Sequence, residues 1–182
     1  MDEQLSIARA ATPEELRRLA RCYDWSTHPE TVLGWIMAQK VVDIGTALTV
    51  FFNGGPERFN YMSKREVPQA HRGAARVLDN ICLRVNCGFY RVRAGQKVDR
   101  RARIDRWIAY QQADREEGRR GRWILDEGIV EEALKGRSHQ WVEGDAATLQ
   151  PLRARAAGRG VLSWLSPGEL GRQLHGILPR RG

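Results

Sequence analysis

Helix start signals recur along this chain, and no segment of any length alternates apolar and polar residues with the period of a β-strand. The clearest start signal is TPEE at residues 12–15, where Thr12 and Glu15 can cap each other's backbone amides and Pro13 fits the first turn. STHPE at 26–30, SKRE at 63–66 and SPGE at 166–169 are similar signals. These start signals and the lack of strand periodicity predict an all-α fold of about seven or eight helices, packed as helical hairpins in one compact unit.

The most apolar stretch of the chain, residues 41–52, predicts its central and most buried helix. Asp43 is a suitable N-cap, and apolar residues follow at positions 44, 47, 48 and 51 before Asn53 and Gly54 end the pattern. The β-branched residues of this stretch leave a buried strand as the alternative, but the cap and the stop favour a helix. Because a membrane-spanning helix needs about 20 apolar residues, this stretch is too short, and we expect no membrane partner.

Apolar stripes predict where the other helices lie. A helix follows Thr12, and a second runs from the STHPE signal to about residue 39. A long helix contains the stripe from Ala70 to Val85 and ends at Gly88, with Pro68 delaying its start. Further helices are predicted over about 99–120, 123–134 and 146–157, and after residue 166. We divide the chain into a helical core, 1–97, and a basic helical extension, 98–182, packed on that core.

The positive charge of the chain is concentrated in two blocks. The net charge is +8, and residues 91–122 carry 11 basic and 5 acidic side chains, whereas residues 123–150 carry 2 and 6. Residues 151–182 form the second basic block. If the basic helix after residue 99 faced the basic line on the preceding helix, the two would form a groove for a polyanion. The candidate polyanion-binding residues are Arg65, Arg72, Arg76, Arg100, Arg103, Arg106, Arg119, Arg120 and Arg122.

The same charge has a second interpretation. Only four of the 30 basic residues are lysine, a ratio that a GC-rich coding sequence produces without selection for binding. Ion pairs at i,i+4 spacing would also explain a charged, solvated helix face. These pairs are Asp99–Arg103, Arg101–Asp105 and Glu116–Arg120. Trp107 and Tyr110 could stack on bases, but Trp107 lies in the narrow apolar seam of its helix and is expected to pack in the core.

The residue patterns of common enzymes and metal sites are missing from the sequence. There is no phosphate-binding loop, no G-x-G-x-x-G run and no nucleophile elbow. The four histidines are spread singly along the chain and predict no metal site. We therefore predict no catalytic residue, no metal and no cofactor, and an enzyme whose site is not visible in the sequence is kept as an alternative.

The cysteines indicate a reducing compartment. There are three, Cys22, Cys82 and Cys87, and their odd number and spacing match no disulfide framework. The chain opens with the acidic run MDEQ, and no apolar signal-peptide segment follows it. We expect a cytoplasmic protein.

Three short motifs of the first half of the chain carry a family resemblance. Tyr23-Asp24-Trp25 precedes a helix with an isoleucine, DIGTAL at 43–48 leads to an aromatic pair, and Gly88-Phe89-Tyr90 follows about forty residues on. Over residues 16–90 the chain thus resembles the bacterial domain-of-unknown-function family 4274. The family pattern departs from this chain at several positions, with Asn where Asp24 stands, Cys where Val42 stands and Trp where Phe52 stands.

The resemblance implies a small helical module with no established activity. Within it, Asp43 would cap a helix, Gly45 would allow a close approach, and Trp25 would pack against this helix. The functional alternative is a notch for a protein or a ligand around Trp25, Asp43 and Thr46.

The sequence favours a non-catalytic binding module. A rigid helical scaffold with six tryptophans is typical of a protein that binds another protein, and an unidentified protein is the first candidate partner. Nucleic acid bound by the arginine-rich helices is the second. An enzyme is the third.

Overall fold

The computed structural model describes residues 2–135, which form seven α-helices. The helices are α1 (Asp2–Ala10), α2 (Pro13–Arg21), α3 (Val32–Ile36), α4 (Ile44–Asn53), α5 (Arg72–Asn86), α6 (Arg101–Glu116) and α7 (Glu127–Lys135). Two short 3₁₀ turns lie at Pro56–Arg58 and Gln69–His71. Within 2–135 the extended backbone makes one isolated bridge, between Asp43 and Arg91, and no strand. The predicted all-α fold is confirmed for these residues. The helices predicted after residue 145 lie outside the described residues.

Helix α4 is the centre of the core, as the sequence predicts. Every residue from Ile44 to Phe52 is buried, and α2, α5, α6 and α7 all pack against this helix. The Asp43 carboxylate accepts a hydrogen bond from the Thr46 amide at 2.7 Å, which caps the first turn. The alternative of a strand was wrong because this cap and the stop after Asn53 set a helical register.

The local signals of α2 and α5 are confirmed. Thr12 and Glu15 form both bonds of the predicted capping box. The apolar stripe on α5 from Ala74 to Val85 is buried. Gly88 adopts a left-handed φ of 69° and ends α5, with the Phe89 amide bonded to the Arg84 carbonyl at 2.9 Å.

Two start signals were misread. STHPE does not open a helix, because the Asp24 carboxylate binds Ser26 and Thr27 in a turn and α3 begins only at Val32. SKRE forms half of a capping box, in which the Ser63 amide bonds Glu66 at 2.6 Å, but no helix follows it directly. Pro68 and a 3₁₀ turn delay α5 to Arg72, as anticipated, and leave Ala70 exposed. Helix α1 was not predicted.

Residues 98–135 complete the same core. Trp107 of α6 and Trp123 meet the Phe51 ring edge-on, with ring centroids 5.9 and 6.2 Å apart. Trp123 was predicted to start a helix, but residues 123–126 have no regular secondary structure and α7 begins at Glu127. After α6 the chain bends through the arginine-rich segment 118–122, where Gly118 has a φ of 67°. No helix within residues 2–135 has the length and apolar character that crossing a membrane requires.

Candidate functional site

A basic cleft of about 340 Å³ lies beside the N-terminal half of α5. It is lined by Lys64, Arg65, Val67, Arg72, Ala75, Arg76, Asp79 and Arg122, and we call this set the basic cleft. Five of its side chains are cations, and Asp79 is the one carboxylate in the lining. The turn at 63–67, the first turns of α5 and the bend after α6 each contribute at least one cation, so the charge is assembled from three separate parts of the chain.

Helical spacing explains the α5 wall of the basic cleft. Arg72, Arg76 and Asp79 lie at i, i+4 and i+7, which places them on one face of the helix. The buried Val67 anchors the preceding turn, and its carbonyl accepts a hydrogen bond from Arg72 Nε at 3.3 Å. The cations on this turn are therefore held next to those on the helix.

The cations of the basic cleft are incompletely neutralised. Arg122 binds Asp79 through Nε and Nη2, each at 2.9 Å, and Arg76 binds Glu30 at 2.8 Å, which raises the pKa of Arg76. Lys64, Arg65 and Arg72 have no carboxylate within 4.0 Å in the described part of the chain. The cleft therefore has a net positive charge in a concave site, which is the arrangement that concentrates anions.

A second, larger cleft of about 580 Å³ adjoins α6. Its walls include Tyr61, Trp107, Tyr110 and Trp123, and its polar lining includes Asn60, Gln111, Asp114, Arg119 and Arg120; we call it the aromatic cleft. The two tryptophans are buried, whereas Tyr61 is 63% and Tyr110 58% exposed. Exposed aromatic rings beside a cavity of this size are typical of a site for a planar organic group.

The polar groups of the aromatic cleft bind one another. The buried Asp114 carboxylate accepts the Tyr61 hydroxyl at 2.6 Å and pairs with Arg119 at 3.2 Å. The hydrogen bond to Asp114 raises the pKa of Tyr61. A tyrosine with a raised pKa is a poor general base at neutral pH. The role that this cluster suits is therefore to hold the Tyr61 ring in position, not to transfer protons.

The two clefts have no lining residue in common, but they are built in part from the same two segments. The segment 60–65 contributes Tyr61 to one cleft and Arg65 to the other, and the bend contributes Arg122 and Trp123 in the same way. Asn60 joins the two segments, since its carbonyl accepts the Arg122 amide at 2.6 Å and its side chain accepts the Trp123 amide at 3.1 Å. The two clefts are therefore built on segments that hold each other in place.

The nine arginines predicted to bind polyanion are divided between several places. Arg65, Arg72, Arg76 and Arg122 line the basic cleft, and Arg119 and Arg120 line the aromatic cleft. The other three lie on or next to the start of α6 and line neither cleft. Arg100 binds Asn53 at 2.9 Å, Arg103 binds Glu57 through Nε and Nη2, and Arg106 is exposed.

The proposed ion pairs along α6 are formed in one case of three. Arg101 pairs with Asp105 at 3.5 Å. Asp99 instead binds Arg21 at 3.0 Å, and Arg103 takes Glu57. Asp99 and Arg103 are therefore bound to residues of other elements, which sequence spacing could not show.

The predicted notch is not assembled. Asp43 and Thr46 are buried at the start of α4, where the Thr46 hydroxyl accepts Arg21 and Asp43 lies 3.4 Å from Arg93 Nε. Trp25 packs on Gly54 at the other end of this helix, about 15 Å away at 1.5 Å per residue. Asp43 and Thr46 therefore stabilise the start of α4 together, and Trp25 packs at the end of this helix.

Sequence reasoning missed Lys64, Asp79 and Tyr61. Lys64 is adjacent to Arg65 in the SKRE run and could have been included on that ground. Asp79 lies seven residues after Arg72 on the same face of α5, but it is an acid, and only basic residues were considered as candidates. Tyr61 had no local signal, because its partner Asp114 lies 53 residues away.

Comparison with family models, curated proteins and solved structures gave no match to this chain. The resemblance of residues 16–90 to family 4274 thus stays a prediction. Within residues 2–135, no group of three or more histidine, cysteine, aspartate or glutamate side chains is placed to hold a metal ion. The functional argument therefore depends on the two clefts.

Proposed function

We propose that this protein binds nucleic acid through the basic cleft, without catalysis. The observation that supports this most strongly is the convergence of five cations on one concave site lined by a single carboxylate. Three of these cations have no acidic partner in the described residues. Nucleic acid was the second candidate partner in the sequence analysis, after an unidentified protein. The arrangement of Arg65, Arg72, Arg76 and Arg122 now favours nucleic acid.

The chemistry of the cleft suits phosphate. Arginine presents a planar set of N–H donors that matches two phosphate oxygens, and four of the five cations are arginine. The Nη1 atom of Arg122 is buried and has no hydrogen-bond partner within residues 2–135, so Asp79 does not use the whole guanidinium. The three free cysteines are consistent with the reducing cytoplasm that we propose as its location.

The salt dependence of binding tests this proposal. Three to five phosphate contacts predict that log K falls with log salt with a slope of about −2 to −4 for a single strand. We would titrate the full chain with a labelled oligonucleotide between low and physiological salt. The variant Arg65→Glu/Arg72→Glu should bind at least tenfold more weakly and with a smaller slope.

A matched control separates the cleft from the overall charge. Lys40 and Arg91 are exposed and line neither cleft, so Lys40→Glu/Arg91→Glu changes the net charge by the same amount elsewhere. This control should retain most of the affinity. Equal loss in both variants would mean that net charge alone drives binding, and no binding by the wild type at low salt would refute the proposal.

Binding to a protein is the second candidate. Exposed apolar side chains outside both clefts favour it, above all Leu83 on α5, which is 66% exposed. A specific partner that binds the Arg65→Glu/Arg72→Glu variant normally and loses affinity for Leu83→Asp would support this candidate over nucleic acid.

A further inference from the structure

We infer that the aromatic cleft holds an unstacked base of a single strand whose phosphates lie in the basic cleft. This inference rests on the proposed function and names its ligand class as single-stranded nucleic acid. A duplex hides the faces of its bases in the stack, whereas a single strand can present them to aromatic side chains.

The exposed tyrosines of this cleft provide stacking surfaces. Tyr110 is 58% exposed on α6, so more than half of its side chain is open to a ligand. The Tyr61 ring is held in place by its hydroxyl bond to Asp114, which lowers the entropy that would be lost on binding. A volume of about 580 Å³ is ample for one base and its sugar.

Most of the polar side chains that line the aromatic cleft already bind other groups of the protein. Few of them are therefore free to form hydrogen bonds with the edges of a base. Gln111 binds both main-chain polar groups of Leu125, Asn60 binds the bend, and Asp114 binds Tyr61 and Arg119. Recognition by stacking tolerates every base, because each has a π face. We therefore expect only weak dependence on base sequence.

The bend after α6 connects the two clefts in sequence. Arg122 and Trp123 are consecutive residues, so their Cα atoms lie about 3.8 Å apart, and they line the basic and the aromatic cleft respectively. Arg120 lies on the aromatic side and has no carboxylate within 4.0 Å in the part of the chain that the structure describes. A strand that follows this bend would have cations along its backbone on both sides.

Three probes of equal strand length test the inference. They are a single strand of mixed sequence, its duplex, and an abasic single strand with the same number of phosphates. The full-length wild type should bind the mixed strand about 5- to 150-fold more tightly than the abasic strand, which is the contribution of one stacked base. The duplex should also bind more weakly than the mixed strand.

Two variants of Tyr110 assign that preference to the cleft. Tyr110→Ala should bind the mixed and abasic strands with nearly equal affinity, while Tyr110→Phe keeps the ring and should keep the preference. Because Tyr110 is largely exposed, both variants should fold, which the far-UV circular dichroism spectrum would check.

The possible failures are distinguishable. Equal affinity of the wild type for the mixed and abasic strands, with a normal salt slope, would overturn the stacked base and leave the proposed function intact. An unchanged preference in Tyr110→Ala would also overturn it. No binding of any probe at low salt would overturn both proposals.

Discussion

The side-chain amide of Gln111 pairs with both main-chain polar groups of Leu125. Its Nε2 donates to the Leu125 carbonyl at 2.9 Å, and its Oε1 accepts the Leu125 amide at 2.7 Å. Both residues are buried, so this pair satisfies main-chain polar groups of the irregular segment 123–126 that no helix or strand partner satisfies. It fixes the chain just after the bend whose residues line both clefts.

Removing the amide of Gln111 should destabilise the fold. Gln111→Leu leaves a buried amide and a buried carbonyl without partners, at a cost of about 1–3 kcal/mol each. We expect the free energy of unfolding in urea to fall by about 2–6 kcal/mol. The neighbouring Gln112→Leu removes only an exposed bond to Glu127 and should cost less than about 1 kcal/mol. Similar losses in both variants would show that Gln111 has no special role.

Asp79 should have opposite effects on stability and on binding. Its carboxylate accepts two bonds from Arg122 and one from Trp123 Nε1, each at 2.9 Å. Asp79→Asn removes the negative charge from the basic cleft and turns an amide toward the guanidinium. Unfolding free energy should fall by about 1–3 kcal/mol, since hydrogen bonds to a charged group are lost.

The same Asp79→Asn variant should bind an oligonucleotide more tightly at low salt. The net charge of the cleft rises by one, and Arg122 becomes available to phosphate. Titration of a labelled single strand at a temperature where the variant remains folded would measure this. Weaker binding by a variant that is folded would contradict the assignment of the basic cleft.

The parts of this fold that the sequence predicts are those whose partners are close in the chain. The Thr12–Glu15 box and the Asp43 cap join residues three apart, and the stripe on α5 repeats within one helix. Residues 123–126 were assigned to a helix because their pattern is amphipathic. They form no helix, and Asp79, 44 residues before Trp123, and Gln111 supply partners that no local pattern shows.

The candidate site follows the same rule. The basic line of Arg72 and Arg76 was visible from helical spacing, and Arg122 from the concentration of positive charge in residues 91–122. Their meeting in one cleft depends on Asn60, which binds the bend from about 60 residues away. The arginines of α6 lie in an equally basic stretch of sequence but do not line the basic cleft. Arg103, for example, binds Glu57 instead.

Gly45 should be intolerant of alanine. A Cβ atom at this position would lie 2.6 Å from the Lys97 carbonyl oxygen, a main-chain atom that cannot move aside freely. Gly45→Ala should therefore lower the free energy of unfolding by about 1–3 kcal/mol, despite the better helix propensity of alanine.

Gly73 provides the matched control for this prediction. It lies in α5, and a Cβ atom there would meet only Glu30 at 3.5 Å or more, an ordinary contact. Gly73→Ala should stabilise the protein by up to about 1 kcal/mol through helix propensity. Urea unfolding of both variants measures the difference, and a Gly45→Ala variant as stable as the wild type would contradict the close approach.

The cysteines should differ in their reactivity toward a thiol reagent. Burial and the charge of Asp79 raise the pKa of Cys82 to about 11, while Cys87 is exposed. The thiolate is the reactive form, so at pH 8 only about one Cys82 side chain in a thousand is the reactive thiolate.

In a Cys22→Ser background we expect one fast phase of thiol modification, from Cys87, and one slow phase, from Cys82. The fast phase should disappear in Cys22→Ser/Cys87→Ser. The slow phase should accelerate about tenfold per pH unit between pH 8 and 10, below the raised pKa. A Cys82 that reacts at pH 8 as fast as Cys87 would show that the contact between α5 and the 123–126 segment opens readily, because the Cys82 thiol lies 3.4 Å from the Ile124 carbonyl.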